Sequence, residues 1–192
     1  MKRVEHLVEY LNFNQYNFLR KSKISKIIYC ILLSWFYAFC SQIIIPIPFN
    51  FVPISLQPLP LFLAAIFWGR IAVFAFMLTI LQTAIGAPFF SGFQGGIAKL
   101  VSPTGGYILG FLVAMIFLAM TRNFKNKNLF ITFLKIIFAN ALMYLFGLAQ
   151  LSLFVPFNKL LSLGLYPFMF GCFVKTIVAT LVTYEFNKKV KI

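Results

Sequence analysis

The sequence predicts an all-α integral membrane protein of six transmembrane helices with both termini in the cytoplasm. Three observations carry that expectation. Of the 192 residues, 61% are hydrophobic and 10% charged, with a mean hydropathy of +0.93; a soluble domain carries about 25% charged residues. The apolar residues fall into runs suited to membrane helices, which need about 20 residues each. The basic residues stand between those runs, as membrane-flanking charges do.

The charge balance is lopsided. Seventeen Lys and Arg face only three acids, giving a formal net charge of +14. The acids, Glu5, Glu9 and Glu185, lie near the two ends of the chain. A basic chain can bind nucleic acid, but that needs a basic face on a soluble domain, and the pattern here points to the bilayer instead.

Three parts follow along the chain: a basic cytoplasmic leader over 1–26, a membrane domain over 27–186 and a basic tail over 187–192. In the leader, Val4, Leu7, Val8 and Leu11 recur at helical spacing, which suits either a helix on the membrane surface or a loosely ordered segment. The first span covers about 27–45. Along it Cys30, Ser34 and Ala38 repeat every four residues, a small-residue seam for packing inside the bundle or for contact with another membrane subunit. The second span, about 58–68, and the third, about 71–85, form one apolar run broken at Trp68-Gly69-Arg70. The fourth, about 106–121, carries Gly106, Gly110 and Ala114 as a second small-residue seam. The fifth covers about 129–155 and the sixth about 167–186.

Lys and Arg accumulate on the cytoplasmic side of membrane proteins. With the termini inside, every basic residue is cytoplasmic except Lys99 and Lys159 in the outer loops and Lys135 and Lys175 within spans. Lys135 is expected to reach back to the inner interface by its long stem.

Catalysis is not expected. His6 is the only histidine, Cys30, Cys40 and Cys172 show no metal-ligand spacing, and no acid lies in the apolar body. No triad, metal cluster or cofactor site can be assembled from these residues, and Cys172 is the only nucleophile candidate for an enzyme.

The informative segments are two outward loops. The first, IPIPFNFVPISLQPLP over 45–60, holds five prolines and no charge. Proline biases the chain to extended backbone, so this is a stiff apolar strap suited to cover a site. The second, GAPFFSGFQGGIAKLVSPTGGYILG over 86–110, holds seven glycines. Irregular backbone at membrane depth persists only where protein buries it or it lines a cavity.

In these loops PIPFNFVPISLQPL, GAPFF and SPTGGYILGF, followed later by FMFGCFVK, resemble the BioY family, the biotin-binding S components of energy-coupling factor transporters. The likeness covers about residues 30–185. It implies an S-component-like bundle in the bacterial cytoplasmic membrane that binds biotin near the outer face. It also implies a transmembrane coupling subunit and two cytoplasmic ATPase subunits as partners. The chain itself has no phosphate loop, and its first-span seam resembles the family face that meets the coupling subunit.

The family has Asp where this chain has Cys172, and an Asn near the position of Gly92. Ser102 replaces the glycine that precedes Pro-Thr-Gly-Gly-Tyr. These differences leave open a second reading, in which the chain is tuned to another small vitamin or carboxylate. Under the resemblance, Phe49, Phe51, Phe90, Phe93 and Tyr107 form apolar walls. Gln57, Ser91, Gln94, Thr104, Asn140 and loop carbonyls meet the ureido head. Lys175 has no acid in helical reach, and a lysine at a helix centre costs roughly 2.5–3.5 kcal/mol on insertion scales. It is expected to pair with the ligand carboxylate.

Overall fold

The computed structural model describes residues 23–45, 54–122 and 128–189. Most of the expected leader, and Phe49 and Phe51 of the strap, lie outside these described residues. The chain forms α1 (Lys23–Ser41), β1 (Ile44–Ile45), β2 (Ile54–Ser55), α2 (Pro58–Trp68), α3 (Arg70–Ala84), α4 (Ile97–Leu100), α5 (Gly105–Thr121), α6 (Leu129–Leu151), α7 (Phe157–Gly164) and α8 (Tyr166–Lys189).

Three stretches are long and apolar enough to cross a membrane: Ile24–Ser41, Leu129–Leu151 and Phe157–Lys188. The apolar helices α2, α3 and α5 are shorter, at 11, 15 and 17 residues. At 1.5 Å per residue, α2 alone reaches only about half of a roughly 30 Å hydrocarbon core. It opens on Pro58, whose missing N–H falls where a helix needs none, and it stops at Gly69. There φ is +58°, a conformation that favours glycine. The Arg122 guanidinium packs where a Gly69 side chain would stand and donates to the Phe67 carbonyl at 3.4 Å.

The strap differs from a wholly extended crossing. Its two ends pair antiparallel, Ile44 with Ser55 and Ile45 with Ile54, and the Leu56 N–H adds a bond to the Ile43 carbonyl at 3.1 Å. The all-α expectation therefore needs one small correction, a two-residue ladder at the root of a hairpin. α1 stops at Ser41, before residue 45, because the chain turns there. The Ser41 hydroxyl shares its proton between the carbonyls of Ala38 and Phe89, at 2.7 and 2.5 Å. α7 was not expected at all, and α8 runs on to Lys189, past the boundary placed at 186.

The outside is apolar as well as the core. Large apolar side chains such as Trp35, Phe36, Phe39, Phe130 and Phe170 face outward, while Thr79, Thr83, Asn140, Thr176 and Thr180 are buried. Thr176 and Thr180 each return the hydroxyl to the carbonyl one turn back, which lets a polar side chain enter an apolar interior with its donor satisfied. An edge-to-face lattice of rings centres on Phe76. It meets Tyr37 at 6.0 Å, Phe90 at 6.4 Å and Phe111 at 6.5 Å.

The first-span seam faces this interior. Ser34 is 0% exposed and Ala38 is also buried. The Ser34 hydroxyl donates to Gln82 Oε1 at 2.6 Å and accepts from Thr79 at 3.0 Å, and Cys30 Sγ approaches the Ile71 carbonyl at 3.9 Å. Cys30, Ser34 and Ala38 thus pack α1 on α3, the internal-packing use of the seam. The polar groups are consumed inside the chain.

The most extensive helix pairing joins α5 and α6. Here the expected Gly106–Gly110–Ala114 seam does what its spacing suggests. A Cβ on Gly106 would stand 2.3 Å from the Phe146 carbonyl oxygen, and one on Gly110 would stand 2.6 Å from that of Met143. Lys135 reaches from α6 to the last turn of α5 and donates to the Thr121 carbonyl at 2.6 Å, satisfying a helix-end acceptor. Gly110→Leu is expected to force the two helices apart and to cost about 1–3 kcal/mol. A lower thermal unfolding midpoint of the detergent-solubilised protein, with unchanged helix content before unfolding, checks this.

Candidate ligand-binding cavity

A cavity of about 90 Å³ opens where α2, α5, α6 and α8 meet the hairpin root and the glycine-rich loop. The hairpin root supplies Ser55, and α2 supplies Pro58 with Gln57 just before it. The glycine-rich loop supplies Phe90, Ser91, Lys99 and Thr104. Tyr107, Ile108 and Phe111 come from α5, Asn140, Met143 and Tyr144 from α6, and Phe168, Cys172 and Lys175 from α8.

Of the residues expected at a site, Gln57, Phe90, Ser91, Thr104, Tyr107, Asn140, Cys172 and Lys175 line this one cavity. Gly92 and Phe93 do not. They form a tight reversal between Phe90 and Gln94, which bridge each other by paired backbone bonds. Both take positive φ, +74° and +54°, and the Phe93 ring is 73% exposed. The turn buries Phe90 and leaves Phe93 exposed. Phe51 lies outside the described residues. Ile108, Phe111, Met143, Tyr144, Phe168 and Lys99 were missed. Apolar helix positions carry no mark that separates cavity wall from core, and Lys99 reads in sequence as an ordinary loop charge.

Position is enforced by hydrogen bonds from outside the cavity. Gln42 holds the second loop. Its Nε2 lies 3.3 Å from the Pro88 carbonyl and 3.2 Å from that of Phe90, and its Oε1 accepts from the Phe93 N–H at 3.0 Å. Gln150 holds the loop's other end, donating to the carbonyls of Leu100 and Ser102 at 3.1 and 2.7 Å. Tyr107 donates to the Gly164 carbonyl at 2.8 Å, which fixes its ring as wall.

Several polar groups face the cavity. Lys175 Nζ donates to the Ser55 carbonyl at 2.6 Å, so the ammonium rests on a neutral acceptor of the strap. It stands nine residues into α8, or about 13 Å along the helix. Asn140 Nδ2 donates to the Ile136 carbonyl and to Thr176 at 2.9 and 3.1 Å, leaving its Oδ1 as an acceptor. Gln57 is 5% exposed and its Nε2 has no partner among the described residues; an unmet buried donor costs about 1–3 kcal/mol. Lys99 donates to Gln94 Oε1 at 2.8 Å, and burial lowers its pKa from the usual lysine range. No acid is among the lining residues. The cavity is an aromatic slot with two cations and an unfilled donor.

Gln42→Leu is expected to release the reversal at residues 88–93 without unfolding the helices. Hydrogen exchange checks this, with faster exchange across 86–96 and unchanged protection in α5 and α6.

Comparison with known proteins agrees with this architecture. The family model described as the BioY family matches residues 14–192. A probable biotin transporter BioY of Pyrococcus horikoshii is 34% identical over 68% of this chain and 78% of its own. The biotin transporter BioY of Thermotoga maritima is 32% identical over 75% of this chain and 86% of its own. Biotin transporter BioY2 of Lactococcus lactis subsp. cremoris is 35% identical over 70% and 76%. The crystal structure of an S-component for biotin from an ECF-type ABC transporter superposes with a TM-score of 0.73 at 22% identity, covering 86% of this chain and 92% of that one. That likeness is one of fold. With a family match across most of its length and relatives of this identity and coverage, the chain belongs to the BioY family.

Proposed function

We propose that the chain is the substrate-binding membrane subunit of a biotin-uptake system. It captures biotin at the outer face, beneath the proline-rich loop 45–60 and the glycine-rich loop 86–106. It does no catalysis of its own; a transmembrane coupling subunit and two cytoplasmic ATPases power transport. The helices are arranged as six spans of the bacterial cytoplasmic membrane with both termini inside, a reading supported by the segregation of basic residues.

The observation that carries this reading is the cavity's chemistry: aromatic walls, lysine ammonium groups and no acid. Biotin is a neutral ureido ring fused to a sulfur-containing ring, with a carboxylate tail. Phe90, Phe111, Tyr107 and Phe168 suit the apolar bicycle, and sulfur gains from aromatic contact. The orphan Gln57 Nε2 is a donor for the ureido carbonyl, and Asn140 Oδ1 and Thr104 are acceptors for its N–H groups. Cys172, where the family has Asp, brings no charge that would neutralise Lys175. Lys175 therefore keeps its full attraction for the carboxylate and leaves the Ser55 carbonyl to take it.

Binding to the purified protein in detergent tests the reading. Biotin is expected to bind, and to win in competition against lipoate and desthiobiotin; a stronger lipoate response would favour the retuned site. Lys175→Met is expected to weaken biotin binding at least about tenfold, the scale of a lost charge-assisted hydrogen bond, while the protein stays monodisperse. Unchanged affinity would remove Lys175 from the carboxylate.

A further inference from the structure

Lys99 is the one charged side chain of the outer loops found buried. It is 8% exposed, although it sits on the four-residue α4 in a loop where a lysine would ordinarily point to water. Its backbone is held from several sides. Gly96, which opens α4, donates its N–H to the Thr83 carbonyl at 2.6 Å, and the Lys99 N–H donates to Gly96 O at 3.1 Å. The Ser102 hydroxyl donates to the Lys99 carbonyl at 2.7 Å, and Gln150 grips the next carbonyl, that of Leu100. The backbone around Lys99 is thereby fixed, and its side chain lines the cavity.

An ammonium has three protons to place. One goes to Gln94 Oε1 at 2.8 Å, and a long contact of 3.5 Å reaches Ser91. Both acceptors are neutral, and both belong to the same loop. No lining residue offers a carboxylate. A cation held in such a place is strongly disfavoured unless an anion comes to it. Lys175 lines the same cavity, and it too has only a neutral acceptor, the Ser55 carbonyl.

We propose that Lys99 is a second, specificity-determining cation of this cavity, which engages the carboxylate of the bound ligand together with Lys175 and makes the site select an acid over its neutral amide. This rests on the reading of the cavity as a biotin site. A carboxylate has two oxygens and accepts from two donors at once. Lys175 approaches from α8 and Lys99 from the glycine-rich loop, so the anion joins the loop to the last helix. The remaining Gln94 contact keeps Lys99 oriented while its free protons turn to the ligand.

The experiment compares affinities for biotin and for its neutral primary amide, on the full chain in detergent, for the native protein, Lys99→Met and Lys99→Arg. Lys99→Met is expected to weaken biotin about thirtyfold and the amide less than threefold, with Lys99→Arg recovering most of the biotin affinity. Equal losses for both ligands would assign Lys99 a structural role and overturn the proposal, and so would no loss for either. If Lys99→Met does not yield monodisperse protein, Lys99→Gln carries the same comparison. A native protein that binds neither ligand would overturn the biotin reading itself, an outcome distinct from either result for Lys99.

Discussion

The approach of α5 to α6 is the contact on which the rest of the molecule depends. Lipid offers helices no hydrophobic reward for pairing, so they associate through close packing and hydrogen bonds. Gly106 and Gly110 bring the α5 surface against the carbonyls of Phe146 and Met143, closer than any side chain would allow. Three consequences follow. Tyr107 and Phe111 are set as one wall of the cavity, Asn140 and Tyr144 as the next, and Gln150 comes within reach of the loop that enters α5. The cavity is therefore the space left where a very tight helix pair meets looser neighbours.

Its electrostatics follow from the near absence of acids in the chain. Interiors normally tolerate a buried cation by pairing it, but here the partners are a backbone carbonyl for Lys175 and a side-chain amide for Lys99. Each satisfies geometry without cancelling charge. The protein thus carries two cations without an acidic partner on the lining of one largely aromatic and apolar cavity. Cys172 preserves that imbalance, where a carboxylate at the same position would have reduced it.

Much of this was legible in the sequence. Long apolar runs and flanking lysines mark helix positions strongly, and α2, α3, α5 and α6 begin within a residue or so of expectation. The seam on α5 was readable because small residues every four positions admit few uses. The seam on α1 was readable as a seam but not as to which side it faced, since Ser34 serves an internal hydroxyl cluster as well as an external one. Among site residues, Lys175, Gln57 and Asn140 announced themselves as polar groups in apolar surroundings. Lys99 did not, because burial of a loop side chain is decided by Gln150, Thr83 and Ser102, none of which signals that role. The exposure of Phe93 was hidden for a related reason: the direction of a ring in a tight reversal depends on backbone φ, which the residue type does not reveal.

The bond from Lys175 to the Ser55 carbonyl joins residues separated by 120 positions. It links the first outer loop to the last helix, and nearly every other wall of the cavity is made in between. At a synthesis rate of roughly 5–20 residues per second, the strap waits roughly 6–24 s in the membrane before its anchor exists. During that interval the hairpin root has only its own short ladder to hold it, and the cavity has no floor. The cavity lining is therefore complete only once α8 is in place, because Phe168, Cys172 and Lys175 come from it.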